Sequence, residues 1–214
     1  MTSSDLANLR RSYSKRQLSE ETVAADPFEQ FSVWMQETLR SEIIDANAMI
    51  LSTVSADCRP SSRVVLLKGF DKSGFVFFTN YESRKSSDLA SNPNAVIHFF
   101  WAELERQINI TGSVTRVSRD ESEKYFRSRP LESKIGAWAS RQSSIVESRE
   151  ALEKRYAELK AAYSDGEVPC PPFWGGFRLQ PERFEFWQGR DNRLHDRICY
   201  TVKGESWQIT RLSP

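Results

Sequence analysis

At 214 residues, with 30 Lys plus Arg against 29 Asp plus Glu and a formal net charge of +1, the chain suits one large domain or two small ones. It lacks the lopsided positive charge of a general nucleic-acid binder. Its cysteines, Cys58, Cys170 and Cys199, stand far apart with no CxxC pair, so neither a disulfide framework nor a metal site is expected.

No apolar run approaches the roughly 18 residues that cross a bilayer, and "MTSSDLANLRRSYSKRQ" lacks the apolar segment of a secretory signal. A cytoplasmic chain with no membrane partner is expected. Residues 1 to 25 are polar and short of large apolar anchors, which predicts a flexible N-terminal segment before a single domain over 26 to 214. In "DPFEQFSVWMQETL", Asp26 reads as an N-cap, Pro27 as the first helical residue, and Phe28, Phe31, Met35 and Leu39 as one face. β-rich runs follow, "AMILSTV", "SSRVVLLKGF", "GFVFFTN", "AVIHFFWA" and "RQINITGSVTRV", broken by "DKSG" and "SNPN". That spacing predicts an antiparallel meander.

Between these runs "SRKSSDLAS" predicts a short helix, and Ser118 with Glu121 makes a capping box for a helix through "DESEKYFRS". "SREALEKRYAELKAAYSDG" predicts a helix with Leu152, Tyr156, Leu159 and Tyr163 on one stripe and Gly166 as its stop. After "VPCPP" strands return in "WGGFRLQ", "RFEFWQG", "DRICYTV" and "SWQITRL". The sum is a mostly β fold with peripheral α-helices, a barrel closed so that no long edge stays bare.

Four clusters of cationic and hydroxyl residues stand out against the neutral total. Arg63 and Lys68 bracket the apolar run of "RVVLLK". Their spacing on a strand aims them at opposite faces, as ordinary strand-end charges or as groups serving two pockets. In "FFTNYESRKSSD", Thr79 ends a strand, and Ser83, Arg84 and Lys85 open a helix whose free amides favour a phosphate; a solvated turn is the plainer account. Tyr125 and Arg129 share a helix face, with Ser133 past Pro130 and with Gln142 and Ser143 further on. They form a second oxyanion cradle or simply a polar surface. In "EFWQGRDNRLHDRI", Trp187 precedes Arg193, His195 and Arg197, which a strand would point one way, toward an anionic aromatic ligand. His98, among Val96, Phe99 and Phe100, reads as packing. No GxGxxG, GxxxxGK or GxSxG occurs, so the reactive group is expected to be borrowed, a phosphorylated cofactor beside a phosphorylated substrate.

The motifs "RVVLLKGF", "FFTNYESRK", "ERQ", "YFRSRPLESKIGAWASRQSS", "FWGGF", "EFWQG", "NRLHDR" and the terminal "RLSP" resemble the pyridoxine/pyridoxamine 5′-phosphate oxidase family, from about residue 8 to the end. The resemblance implies a homodimer of FMN-binding split β-barrels with FMN at the interface. It implies oxidation of pyridoxine or pyridoxamine 5′-phosphate to pyridoxal 5′-phosphate in vitamin B6 salvage and biosynthesis, dioxygen becoming hydrogen peroxide. The implied FMN contacts are Arg63, Val64, Val65, Leu66, Leu67, Lys68, Phe78, Thr79, Arg84, Lys85, Gln107, Gln142, Ser143, Trp187 and Arg197. For the substrate the resemblance implies Lys68, Tyr125, Arg129 and Ser133 at the phosphate. Arg193, Leu194 and His195 would lie at the ring, with Arg193 and His195 catalytic, and Arg10, Arg11, Ser12 and Tyr13 would form a lid. Hydride transfer from substrate C4′ to flavin N5 is implied, leaving the protein to stack two rings and hold two phosphates. Phe78 stands where family members often carry tyrosine. Two rivals are a related split-barrel flavoprotein acting on another substrate, and a non-catalytic carrier of pyridoxal 5′-phosphate, which would not need the flavin set.

Overall fold

Asp26 starts the first helix as its spelling suggests: the Oδ1 atom accepts the Phe28 amide at 2.8 Å, and α1 runs Pro27–Arg40. In the computed structural model, which describes Asn8, residues 12–164 and residues 166–214, the chain divides into two compact units. The first holds the described part of 1–47 together with 98–110 and 182–214; the second holds 48–97 and 111–181.

In the first unit α1 buries Phe28, Phe31, Trp34 and Met35, with Phe28 edge-on to Phe184, Phe31 to Phe99 and Trp34 to Phe186. Such edge-to-face contacts add about 0.5–1.5 kcal/mol each beyond the area they bury. Leu39, expected on this face, points outward. Thr38 is buried instead, its hydroxyl satisfied by the Trp34 carbonyl at 2.8 Å, so the turn accommodates a polar group without an orphan.

The second unit begins with a hairpin, β1 (Ala48–Val54) against β2 (Pro60–Leu66), in which Leu51 faces Arg63 and Thr53 faces Ser61. β3 (Gly69–Asp71) pairs with β4 (Gly74–Asn80). Four helices follow along the chain: α2 (Arg84–Ser91), α3 (Arg119–Ser128), α4 (Leu131–Ala139) and α5 (Arg149–Ala162). Ser118 caps α3 through the Glu121 amide, one half of the expected box, while the Glu121 carboxylate meets Arg178 at 3.2 Å. The α5 stripe of Leu152, Tyr156, Leu159 and Tyr163 is only half-buried. Tyr156, Leu159 and Tyr163 lie against a small core of Phe126, Ile135, Val168 and Trp174.

The remaining strands are β5 (Asn94–Trp101), β6 (Arg106–Arg116), β7 (Trp174–Gln188), β8 (Asp196–Lys203) and β9 (Ser206–Arg211). Pairing runs β2-β1-β5-β6-β7-β4-β3, with β8 on β7 and β9 on β8. Three expectations fail here. The order is not a meander, because β4 crosses to pair with β7, and the path ends at β2 and β3 instead of closing. "WGGFRLQ" and "RFEFWQG" are also one 15-residue strand, continuous through Pro181. The proline is tolerated where the ladder changes hands, β4 pairing up to Leu179 and β8 from Arg183.

Candidate functional site

The second unit contains a cavity of about 1010 Å³ lined by five cations, Arg63, Lys68, Arg84, Lys85 and Arg129, and by no carboxylate. Val64, Val65, Leu66, Phe78, Thr79, Tyr125, Ser133, Gln142 and Ser143 also line it, so three clusters that read separately in the sequence meet in one space. Leu67 is buried and outside the lining. Arg63 and Lys68 were expected on opposite faces, but β2 ends at Leu66, strand alternation stops there, and both reach this cavity. Lys68, Phe78, Tyr125 and Ser128 also border a second cavity of about 410 Å³, where Arg178 bridges Asp71 at 2.9 Å and Glu121 at 3.2 Å.

Lys85 is 6 % exposed and donates to three neutral acceptors, Thr79 Oγ1, Ser83 Oγ and Gln142 Oε1, each at 3.0 Å. Burial, and then the charge of Arg63, lower its pKa to about 8. A buried ammonium with no counter-charge is costly until an anion arrives. Beside it α2 begins, with the Arg84 amide donating to Ser143 Oγ at 3.3 Å.

Arg129 sits one residue past the end of α3 in extended backbone, not inside the helix as its spacing from Tyr125 suggested. Its guanidinium lies over Trp174 at 4.7 Å and over Phe126 at 5.5 Å, and burial lowers its pKa. Tyr125 stacks on Phe78 at 4.0 Å and 17°, and Phe78 on Trp174 at 5.6 Å and 10°, making a three-ring wall. Gly176 makes room for it: a Cβ there would fall 2.8 Å from Phe78 Cε1 and 2.7 Å from Val117 Cγ2. Among the described residues, two buried side-chain nitrogens lack a protein partner, Arg129 Nη1 and Asn80 Nδ2, and both residues line this cavity. Orphaned donors of this kind cost about 1–3 kcal/mol each, so residues that carry them beside a cavity are candidates to meet a ligand's oxygens.

The other expected residues lie in the first unit. The Trp187 and His195 rings are 4.6 Å apart, and Tyr13 meets them edge-on at 5.9 and 5.8 Å. Gly189 admits the Tyr13 ring, whose Cγ would lie 2.8 Å from a Cβ there. His195 Nδ1 accepts the Arg190 amide at 3.1 Å, which places the proton of the neutral imidazole on Nε2. Burial, then Arg193, lower its pKa and favour that neutral form.

The alternating-strand reading of "RLHDR" does not hold. Asp191–Arg193 is a 3₁₀ turn with Asn192 and Arg193 left-handed (φ 55° and 62°), and β8 starts only at Asp196. Arg193 and Leu194 are exposed. Arg197 is in the strand, its Nε and Nη2 on Glu185 Oε1 at 2.8 and 2.7 Å and its Nη1 on the Ser213 carbonyl at 2.7 Å. Burial would raise the Glu185 pKa, but Arg183 and Arg197 outweigh it and hold the carboxyl below its ordinary value. Gln107 lies half-buried on β6 and Ser12 is exposed, while Arg10 and Arg11 fall outside the described residues. Asn80, Asp88, Glu185 and Trp174 all fall inside quoted runs but receive no role from the sequence; for Trp174 the signal was the bulky ring before two glycines in "FWGGF".

A family model described as pyridoxamine 5′-phosphate oxidase matches residues 35–163, and one described as the pyridoxine 5′-phosphate oxidase C-terminal dimerisation region matches 174–214. Proteins named pyridoxine/pyridoxamine 5′-phosphate oxidase are 53% identical in Rubrobacter xylanophilus and 51% in a Cyanothece species. The first match covers 98% of this chain and 97% of the relative, the second 98% of each. Among solved structures, PhzG from Burkholderia lata in complex with tetrahydrophenazine-1-carboxylic acid is similar at a TM-score of 0.89 and 30% identity, over 95% of this chain and 100% of that one. A pyridoxamine 5′-phosphate oxidase-related, FMN binding protein from Nostoc punctiforme is similar at 0.70 and 16%, over 88% and 98%. This second likeness bears on the fold alone, a mostly β split barrel with peripheral helices. No described helix is long and apolar enough to cross a membrane.

Proposed function

The chain belongs to the pyridoxine/pyridoxamine 5′-phosphate oxidase family, and on that premise we propose that it binds FMN and oxidises pyridoxine and pyridoxamine 5′-phosphates to pyridoxal 5′-phosphate, with dioxygen reduced to hydrogen peroxide. The observation that carries this reading is the cavity of five cations with no carboxylate, whose lining includes Asn80 and Arg129, the two residues with an orphaned donor. It fits two phosphates. Arg63, Arg84 and Lys85, with Gln142 and Ser143, would hold that of the cofactor. Lys68, Tyr125, Arg129 and Ser133 would hold that of the substrate, Arg129 Nη1 gaining the acceptor it lacks. Bound FMN supplies the two-electron acceptor, and the protein's task is placement.

Trp187, Arg193, Leu194, His195 and Arg197 lie outside the cavity lining of one copy, and the C-terminal match is to a dimerisation region. We assign them to a site completed by a second copy, a homodimer. There the His195 Nε2–H donates to an oxygen on the substrate ring, and Arg193, exposed in a single chain, covers that ring.

The likeness to PhzG favours a second reading, in which Arg129 receives the carboxylate of a polycyclic acid. The test is peroxide release with both phosphorylated vitamers, unphosphorylated pyridoxine and a tetrahydrophenazine carboxylic acid. Yellow protein active on the two phosphates alone supports the oxidase, activity on the acid alone supports the second reading, and colourless protein that FMN cannot reconstitute overturns both. Dilution in the ultracentrifuge should release dimer and flavin together; a monomer retaining stoichiometric FMN would remove the shared site.

A further inference from the structure

We infer that Asp88 is a positioning residue for the phosphate-binding Arg63, acting through the hydroxyls of Thr53 and Ser61. This inference rests on the cofactor reading above. Asp88 lies on α2, outside the cavity lining and 4 % exposed, the one acid of a helix whose first turn carries Arg84 and Lys85. A single oxygen, Oδ2, accepts the Thr53 hydroxyl at 2.7 Å and the Ser61 hydroxyl at 3.0 Å. Both hydroxyls also accept from Arg63: Nη1 donates to Thr53 Oγ1 at 2.7 Å and Nη2 to Ser61 Oγ at 2.6 Å, while Nη1 reaches the Leu51 carbonyl at 3.0 Å.

A hydroxyl has one proton. With Asp88 taking both protons, the lone pairs of Thr53 and Ser61 are left pointing at Arg63, and the guanidinium is held in one orientation. The Nε–H and the second Nη2–H have no acceptor among the described residues, and Arg63 lines the cavity. Asp88 Oδ2 itself stays 3.8 Å from Nη2, so it steers the arginine through the hydroxyls and leaves those two donors available. Thr53 and Ser61 are register partners across β1 and β2, which fixes the two acceptors against each other.

Charge alone predicts the opposite outcome. A carboxylate near an anion site repels the anion, so if Asp88 only filled space, a neutral isostere would bind phosphate more tightly. If it orients Arg63, the same change weakens binding, because an uncharged amide oxygen in the place of Oδ2 holds the two hydroxyl protons less firmly than a carboxylate does. The experiment measures affinities of cofactor-free protein for FMN and for riboflavin, which lacks the phosphate, by quenching of flavin fluorescence. Asp88→Asn should cut the preference for FMN by about ten-fold, the scale of one charge-assisted hydrogen bond, with riboflavin affinity unchanged. Asp88→Glu, keeping the charge, should restore part of it.

A preference kept or increased in Asp88→Asn overturns the inference. Should that variant fail to fold, Ser61→Ala removes one relay hydroxyl; a loss of about three-fold in the same preference supports the idea and no loss sinks it. A wild-type protein with no preference for FMN would remove the cofactor reading, and this inference with it. A wild-type preference that survives the variants removes this inference alone.

Discussion

In the cavity Lys68, Arg84, Lys85 and Arg129 stand without a carboxylate in the lining, whereas several arginines of the other unit are answered by acids. There Arg106 meets Glu37, Arg183 and Arg197 share Glu185, and Arg211 is held by Glu20 and Asp196. The chain is nearly neutral in total, so the difference lies in placement, not in supply. Paired charges fix the architecture around Trp187 and His195. The buried unpaired ones, Lys85 and Arg129, carry a penalty that a ligand's phosphates would relieve.

The sharpest way to break this contrast is Arg193→Ala, which removes a cation from an exposed turn with no role in the cavity charge. Turnover should fall by about a hundred-fold, since small misplacement of a substrate ring has that effect, while the protein stays yellow. Loss of flavin would show that the division of the two regions is wrong. Next in size is Arg129→Leu, which deletes an unpaired donor: KM for phosphorylated substrate should rise by about ten-fold or more, with normal flavin content. Thermal unfolding of the cofactor-free variant should show no loss of stability, because an uncompensated charge has been removed.

Glu185→Gln tests the paired region, and should lower stability by about 1–2 kcal/mol by leaving two arginines without their acid. A melting curve equal to wild type would deny Glu185 a structural part. The smallest effect is set by pH. The cavity lysine Lys85 titrates near 8 when folded against an ordinary value of 10.5. Anion affinity should therefore drop about four-fold between pH 7 and pH 8.5 as the ammonium is lost. Stability of the cofactor-free protein should move the other way, because the unfolded chain holds the proton more tightly over pH 8 to 10.5. A pH-independent FMN dissociation constant across that window would remove Lys85 from the anion site.

What the sequence made legible was local. Caps at Asp26 and Ser118 and the opening of α2 at Arg84 rest on neighbours within four residues, where backbone chemistry sets the outcome. Long-range partners were hidden. Strand alternation predicted the wrong face for Lys68 because the strand ends two residues earlier, and two left-handed residues at 192 and 193 undo the period of "RLHDR". "SRKSSDLAS" shows only a short helix and gives Asp88 no role; its relation to Arg63 exists only once β1 and β2 bring Thr53 and Ser61 together. The resemblance of whole motifs carried the functional reading past these gaps, since it rests on residues in series and not on the geometry between them.

The glycine under the three-ring wall has a consequence for descent. Because a single methyl at Gly176 would collide with Phe78, neither position can drift alone without disturbing the stack that carries Tyr125. Lineages that enlarge residue 176 should have shrunk or redirected residue 78 as well, and the pair is expected to covary among relatives even though one of the two has no side chain to contribute.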